Sequence, residues 1–324
     1  MSVVLVTGGS GFIGTSVVEY HCALGDDVYN VDIAAPRNPQ FGARWVNTDI
    51  RDREALAGVM QRTQPDLVYH LAARTDLDGK SLAEYDSNTL GVVNLIAALA
   101  AAPRPVRRII FASTRFVCPI GYTPKDEYDY RPDTYYGESK VAGEKLVRER
   151  AADVGHWTIV RPTSIWGPWF GTPFREFFQA IRRGVYVHPM NKEVFKSLGY
   201  VGNTVVQLHR LTTAQVSLVD RRMFYVADYD AVEIGIFADH IRDAFGARRV
   251  CRVPMAILHL MALAGDGSRY LGITHPPLTT YRLGNITTNA RYDMSPLKGV
   301  VGELPYSLQD GIERTVRWMR EQDR

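Results

Sequence analysis

The chain has 324 residues, of which 46% are hydrophobic and 23% are charged, and its formal net charge is +3. This length and composition allow a large buried core and favour one large domain with a smaller one beside it. The small net charge, without any block of Lys and Arg, argues against a nucleic-acid partner. Three widely spaced cysteines argue against a structural zinc site or a disulfide framework, and we expect no bound metal.

The first apolar run occupies residues 3–6, which leaves no room for a signal peptide before it. No apolar run approaches the roughly 20 residues that a membrane-spanning helix needs. We therefore expect a soluble, cytoplasmic protein that has no membrane partner.

A glycine-rich turn lies between two predicted elements near the start of the chain. Residues 3–6 are apolar and β-branched, which predicts a strand, and apolar residues at helical spacing follow at 17–24. Gly8 permits a tight turn, Gly11 lets a pyrophosphate approach the backbone, and Gly14 allows the helix to pack closely on the sheet. The free N–H groups at the start of that helix favour bound phosphates.

An acidic residue at the end of the second predicted strand indicates which dinucleotide binds. The strand at 27–31 ends in Asp32, roughly 20 residues after the glycine turn, where dinucleotide-binding folds place a carboxylate on the ribose 2′-hydroxyl. NAD is therefore predicted in preference to NADP. Arg37 lies close enough to hold a 2′-phosphate, and the alternative is that Arg37 is a solvated loop residue.

Strands and helices alternate through the first half of the chain. The predicted elements are a strand at 44–50, a helix at 53–62, a strand at 66–73, a helix at 88–102, a strand at 108–112, a helix at 136–152 and a strand at 156–161. Alternation of this kind is typical of βαβ units and of a doubly wound parallel sheet. The predicted fold class is therefore α/β of the Rossmann type.

After Pro168 the regular alternation ends. The predicted elements are an amphipathic helix within 169–184, a strand at 223–227, a helix at 234–245, an apolar segment at 255–264 that places His259 in the core, and a helix at 307–321. This mixture predicts a smaller substrate-binding domain. We assign residues 1–165 to an NAD-binding domain with a return near 196–215, and residues 166–195 and 216–324 to the substrate-binding domain.

The glycine turn, together with Tyr136 and Lys140, resembles the extended short-chain dehydrogenase/reductase family and, within it, the NAD-dependent nucleotide-sugar epimerases such as UDP-glucose 4-epimerase. Further stretches that agree with the family pattern lie at 49–50, 70–73, 88–95, 111–114 and 161–168. The cofactor contacts that this resemblance implies are Gly8, Gly11, Phe12, Ile13, Gly14, Asp32, Asp49, Ile50, Leu71, Ala72, Ala73, Asn88, Tyr136, Lys140 and Pro162.

The pair Tyr136 and Lys140 also has a chemical argument. A spacing of four residues puts both side chains on one face of a helix. A tyrosine that acts as a base near neutral pH needs its pKa lowered by roughly 3 units from about 10, and a neighbouring ammonium favours the phenolate. Tyr136 would then take the proton of a sugar hydroxyl while NAD takes the hydride. Thr114 is expected to bind the reacting oxygen, and Ser113 is the alternative.

The substrate side departs from the family pattern. Lys196 occupies the place of an arginine that binds nucleotide phosphates, and a lysine keeps the charge but lacks the bidentate fork. Ser164 replaces an asparagine. Arg282 is a further candidate for a substrate phosphate, with a surface ion pair as the alternative. The predicted substrate-binding residues are Thr114, Arg115, Ser164, Lys196 and Arg282.

The residue after the catalytic threonine separates reaction classes in the resembled family. Sugar dehydratases and related decarboxylases carry an acidic residue within a position or two, whereas this chain carries Arg115 and Phe116. A basic and an apolar residue cannot serve as the acid for elimination, so the product is expected to keep the mass of the substrate. Arg115 could bind an acidic group such as a uronic carboxylate, or it could be a structural arginine.

The leading hypothesis is therefore an NAD-dependent nucleotide-sugar epimerase that oxidises and re-reduces one sugar carbon. The alternatives are a net oxidoreductase, such as a hydroxysteroid dehydrogenase-like enzyme or a ketone reductase, and a non-catalytic NAD-binding scaffold. The resemblance also implies a homodimer that pairs the helices at 88–102 and 136–152.

Overall fold

The computed structural model describes residues 1–270 and 278–323. The strands are β1 (Val3–Thr7), β2 (Asp27–Asp32), β3 (Trp45–Asn47), β4 (Leu67–His70), β5 (Val106–Ala112), β6 (Gly155–Pro162), β7 (Ser164–Trp166), β8 (Val187–Pro189), β9 (Phe195–Lys196), β10 (Leu198–Tyr200), β11 (Arg222–Val226), β12 (Val232–Glu233) and β13 (Cys251–Val253). The helices are α1 (Phe12–Ala23), α2 (Arg53–Thr63), α3 (Leu90–Ala100), α4 (Tyr135–Arg150), α5 (Phe174–Arg182), α6 (Val201–Thr213), α7 (Val216–Val219), α8 (Ile234–Phe245), α9 (Met255–Tyr270), α10 (Thr280–Thr287), α11 (Ser295–Val301) and α12 (Leu308–Gln322).

Seven strands form the main sheet in the order β11-β6-β5-β4-β1-β2-β3, and every pair of neighbours is parallel. The chain moves outward from β1 in both directions, so the order reverses there and leaves a crevice at the carboxyl ends of β1 and β4. This topology confirms the predicted doubly wound α/β fold of the Rossmann type.

The apolar strands are covered on both faces, which is why they contain continuous apolar runs. On one face Leu5 packs in a cluster with Leu56 of α2 and Leu95 of α3. On the other face Val4 packs in a cluster with Val17 of α1 and with residues of α6 and α11. Successive residues of β1 therefore point to opposite faces of the sheet.

Beyond β6 the chain builds a second core around aromatic side chains. Trp166, Phe178 and Phe237 are fully buried together. The same part of the chain forms three two-stranded sheets, β10–β7, β12–β9 and β13–β8. Within the ranges 1–270 and 278–323, no helix combines the length and the apolar character that crossing a membrane requires.

Two predictions differ from the structure, one about a domain boundary and one about a buried histidine. β11, which we assigned to the substrate-binding domain, pairs with β6 in the main sheet, so the return to the first domain extends beyond 196–215. The pairing partner of an isolated strand depends on distant residues, which local sequence patterns do not contain. His259 is not in the core, because it lies on an exposed face of α9 with Nδ1 2.9 Å from the Met255 carbonyl.

Candidate active site

The glycine turn closes against the end of β4. Gly8 has a φ of +75°, and a Cβ on it would lie 2.5 Å from the backbone nitrogen of Ala72. A side chain at Gly14 would overlap the carbonyl of Gly8. The turn therefore requires glycine at both positions, and it brings the predicted cofactor residues Leu71, Ala72 and Ala73 next to the start of α1.

The first turn of α1 has the properties of a phosphate site. Gly11 is the N-cap and supplies no side-chain acceptor, and among the described residues no acidic side chain lies in the first turn. The N–H groups at this helix end therefore suit an anion such as a pyrophosphate. Phe12 and Ile13 occupy the first two helical positions, and the Phe12 ring packs 6.4 Å from the ring of Phe170.

Asp32 lies at the carboxyl end of β2 beside this turn. Its carboxylate accepts hydrogen bonds from the backbone N–H of Ser10, at 3.0 Å, and of Ala34, at 2.9 Å. A carboxylate held in this way still has free lone pairs for ribose hydroxyls. Arg37 donates to the carbonyls of Ser10 and Trp169, so two of its donors are already used. The residues present therefore fit NAD.

Asp49 and Ile50, predicted to contact adenine, follow β3 on the same side of the sheet. The Asp49 carboxylate accepts from Arg51, with the shortest distance 2.7 Å. Ile50 is buried, and Asn94 of α3 donates its side-chain amide to the Ile50 carbonyl at 3.1 Å. Asn94 therefore holds the backbone at Ile50, and Arg51 is the hydrogen-bond partner of the Asp49 side chain.

Asn88, another predicted cofactor residue, connects two segments of the protein. Its side chain accepts from the Arg74 backbone N–H at 2.8 Å and donates to Ser139 Oγ at 2.9 Å. Ser139 in turn donates to the carbonyl of Tyr136. Asn88 therefore holds the first turn of α4 against the loop that follows β4. Pro162, the last predicted cofactor contact, is the final residue of β6.

The predicted catalytic side chains lie together in a buried position. Thr134 caps α4 by accepting from the Gly137 N–H at 3.0 Å, so that Tyr136 and Lys140 are on its first two turns. Tyr136, Lys140 and Thr114 are all buried, and the Thr114 hydroxyl is close enough to Tyr136 to influence its pKa. The hydroxyl of Thr114, the phenol and the ammonium are thus gathered near the ends of β4 and β5.

Burial dominates the acid–base properties of this group. It raises the pKa of Tyr136 to about 12, while the nearby Thr114 hydroxyl and the charge of Arg115 act in the lowering direction. Burial also lowers the pKa of Lys140 to about 8, against the charge of Glu144, which raises it. The direction for Tyr136 differs from the expected lowering because desolvation outweighs the charge of Arg115, the cation that acts on this pKa.

Sequence reasoning missed a buried ion pair behind the catalytic helix. Glu144 accepts from Arg161 Nε and Nη2, each at 2.8 Å, and both side chains are almost fully buried. Ser113 Oγ donates to the same carboxylate at 2.5 Å, and Tyr130 donates to it at 2.9 Å. Because the Ser113 hydroxyl is engaged there, Thr114 is the better candidate for the substrate oxygen. The spacing of Tyr136, Lys140 and Glu144 along one helix face was the available signal.

Two of the predicted substrate residues form a cationic cluster. Burial lowers the pKa of Lys196 to about 8, and the positive charge of Arg115 acts in the same direction. Lys196 Nζ donates to the carbonyls of Asn285, at 2.7 Å, and Thr288. The Arg115 guanidinium lies over the Phe116 ring, 4.0 Å from its centroid, and its buried Nη1 has no hydrogen-bond partner among the described residues.

The remaining predicted substrate residues lie on other elements. Ser164 begins β7 and pairs with Leu198 of β10. Arg282 lies in the first turn of α10, and its backbone N–H donates to Thr279 Oγ at 3.1 Å. Arg115 therefore influences both Tyr136 and Lys196 through its charge, whereas Ser164 and Arg282 lie on separate segments.

The arrangement of this site matches a known family. A model of the NAD dependent epimerase/dehydratase family matches residues 4–194, a range that includes the glycine turn, Asp32, Tyr136 and Lys140. The chain belongs to this family. Membership confirms the predictions of NAD as the cofactor and of an enzyme related to the extended short-chain dehydrogenases.

Individual relatives agree with the family assignment. N-acetyl-alpha-D-glucosaminyl-diphospho-ditrans,octacis-undecaprenol 4-epimerase from Escherichia coli O157:H7 is 32% identical over 97% of this chain and 94% of its own length. A 3 beta-hydroxysteroid dehydrogenase/Delta 5-->4-isomerase from Mycobacterium tuberculosis is 29% identical over 76% of this chain and 70% of its own length. A solved UDP-glucose 4-epimerase from Thermotoga maritima shares the fold, with a TM-score of 0.76, 20% identity and 99% of both chains covered.

Replacing Asp32 by alanine tests the position of the cofactor. We expect NAD binding to weaken by about 1.5–3 kcal/mol, because a hydrogen bond to a charged acceptor is lost. Titration of both proteins with NAD measures the difference, and Asp153→Ala, at an exposed position, is the matched control. Equal NAD affinity in Asp32→Ala and the unchanged protein would show that the ribose lies elsewhere.

Proposed function

We propose that this protein is an NAD-dependent epimerase of a sugar diphosphate substrate, with nucleotide sugars as the leading class. The observation that carries the proposal is the buried group of Tyr136, Thr114 and Lys140 beside the glycine turn. Support also comes from the relatives that are named as sugar epimerases, and from Arg115 and Lys196, whose charges suit a diphosphate.

In this proposal each side chain has one task. Thr114 donates a hydrogen bond to the sugar oxygen, and Tyr136 takes the hydroxyl proton and later returns it. Lys140, with a pKa of about 8, is protonated at neutral pH and contributes positive charge to the buried site. A bound NAD supplies the hydride acceptor and the hydride donor, and its positive ring favours the phenolate.

The raised pKa of Tyr136 bears on the role of the cofactor. Burial raises this pKa to about 12, so the phenol of the free protein is neutral at physiological pH. A positively charged nicotinamide ring bound beside the phenol would lower the pKa of Tyr136 and favour the phenolate.

The predicted substrate contacts suit two kinds of sugar diphosphate, one linked to a nucleotide and one linked to a polyprenol. The sequence predicted a nucleotide sugar, whereas the relative from E. coli O157:H7 is named for a sugar diphosphate on a polyprenol. Both forms contain the same sugar diphosphate unit. Arg115 and Lys196 are positioned to bind that shared unit, since one Arg115 nitrogen is buried without a partner among the described residues.

Lys196→Ala tests this assignment. We expect a Michaelis constant raised about tenfold or more, with little change in turnover number, because the lost contact binds ground state and transition state alike. NAD affinity should stay unchanged. Lys192→Ala, four residues earlier and exposed, is the matched control, and Lys196→Arg should restore binding because it keeps the charge. An unchanged Michaelis constant would assign Lys196 only to its carbonyl contacts.

A net oxidoreductase is the second candidate, and one comparison favours it. The relative from M. tuberculosis is named as a hydroxysteroid dehydrogenase and isomerase. The two candidates differ in how they use the cofactor, because an epimerase regenerates NAD within each turnover. NAD retained through purification, measured by absorbance after denaturation, supports the epimerase, and an empty site with steady NADH release supports the oxidoreductase.

We propose the predicted homodimer as well, formed by α3 and α4 of two copies. Support comes from the packing of α3 against α4 and from the exposed apolar side chains of Leu90 on α3 and Tyr135 on α4. We expect light scattering at micromolar concentration to give twice the mass of the chain, and a monomer would contradict this interface. A cytoplasmic location, the absence of a nucleic-acid partner, and the division into NAD-binding and substrate-binding domains, with β11 now counted in the first, remain proposals of the same kind.

A further inference from the structure

The outer face of α9 is apolar although it faces away from the protein. Ile257, Leu260, Met261 and Leu263 are between 44% and 67% exposed. Single exposed apolar residues are normal on protein surfaces, but four large ones on one helix form a contiguous patch. We call these four residues the α9 face.

The spacing shows that α9 has two apolar sides. Leu258 and Ala262 are buried and pack with Leu283 of α10, which accounts for one side. Ile257, Leu260 and Met261 follow the i, i+3, i+4 pattern of a second stripe. No charged residue occurs between 255 and 265, whereas a helix that faces water normally carries charges on its outer side.

Positive charge lies in the segment that leads into this helix. Arg248 and Arg249 come just before β13, Arg252 lies in β13, and α9 begins two residues after that strand; no acidic residue occurs between 244 and 265. Arg248 and Arg249 are exposed, while Arg252 donates to Asp239 at 2.8 Å. Tyr281 of α10 adds an exposed aromatic ring. An apolar helix face beside arginines and an aromatic ring is typical of segments that lie in the interface of an anionic membrane.

We propose that the α9 face docks onto an anionic lipid bilayer surface. The helix then lies in the plane of the interface, with its large apolar side chains among the acyl chains and the arginines at the headgroups. This contact does not cross the membrane, and it revises the sequence-based prediction that the protein has no membrane partner.

Docking at this face places the membrane next to the substrate side of the active site. α10 packs against α9, and the carbonyls of Asn285 and Thr288 at the end of α10 accept from Lys196. The cationic cluster of Arg115 and Lys196 is therefore one helix away from the docked surface. A substrate presented from that surface would reach these cations without leaving the interface.

Sedimentation with lipid vesicles tests the proposal on the full chain. We expect the protein to pellet with phosphatidylcholine vesicles that contain about 30% phosphatidylglycerol, and to pellet less with pure phosphatidylcholine or at about 1 M salt. The double variant Leu260→Ser with Leu263→Ser should lower the partition coefficient by about tenfold or more, because two large side chains no longer enter the apolar layer. Arg248→Ser with Arg249→Ser should remove mainly the dependence on phosphatidylglycerol.

The matched control changes two exposed leucines elsewhere, Leu24→Ser with Leu218→Ser, and should leave sedimentation unchanged. Melting curves establish that each variant is folded. No binding by the unchanged protein, or equal binding by the α9 variant and the control, would overturn the proposal. A different outcome would be that the unchanged protein does not bind vesicles and that only the α9 variant gives a smaller particle in light scattering. This result would overturn the membrane proposal and indicate that a second copy of the chain covers the α9 face.

Discussion

Tyr136→Phe is expected to lower the turnover number by about 10² or more, because it removes the group that carries the proton while the ring remains. NAD binding should be nearly unchanged, since the phenylalanine fills the same buried space. Steady-state kinetics and an NAD titration on the same preparation separate the two effects.

Tyr135→Phe is the matched control for this prediction. Tyr135 is the neighbouring residue on α4, its side chain is exposed, and the same atom is removed. We expect this variant to keep full activity. Unchanged turnover in Tyr136→Phe would remove Tyr136 from the mechanism, and equal losses in both variants would indicate damage to α4 rather than loss of a base.

Glu144→Ala is expected to lower the free energy of unfolding by about 3–5 kcal/mol, because it leaves the buried charge of Arg161 without its partner. The change also removes the acceptor of Ser113 and Tyr130. Denaturant unfolding of both proteins measures the difference, and an unchanged slope of free energy against denaturant would show that the unfolded states are comparable.

A double-mutant cycle separates the interaction energy between Glu144 and Arg161 from the effects of their other contacts. Glu144→Leu combined with Arg161→Met removes both charges, and we expect it to cost less than Glu144→Leu alone. Glu149→Gln, on an exposed position of the same helix, should change stability by no more than about 0.5 kcal/mol. A double variant as unstable as the sum of the single ones would contradict a direct interaction between Glu144 and Arg161.

The parts of this protein that sequence predicted well are local in the chain. β1, the glycine turn and α1 are contiguous, and Asp32 follows at a spacing that the fold itself sets. Tyr136 and Lys140 are four residues apart on one helix, so their proximity follows from helix geometry. In each case the residues are neighbours in sequence or are separated by one βαβ unit.

The parts that sequence did not predict depend on distant segments. The place of β11 beside β6, and the contact of Lys196 with the end of α10, both join residues far apart in the chain. The pKa of Tyr136 likewise depends on complete burial, which a pattern of residue types does not quantify. The four-residue spacing from Lys140 could have placed Glu144 on the same helix face. Its partner Arg161 could not be predicted in this way, because it lies on a strand.

The most direct test of the central claim follows the mass of the product. The purified protein would be incubated with UDP-, GDP- and dTDP-sugars and with a polyprenol-linked sugar diphosphate, and the products separated and weighed by mass spectrometry. The account predicts a new species that has the same mass as its substrate and a different retention time. A loss of water or of carbon dioxide, or a change of two hydrogens, would contradict epimerisation.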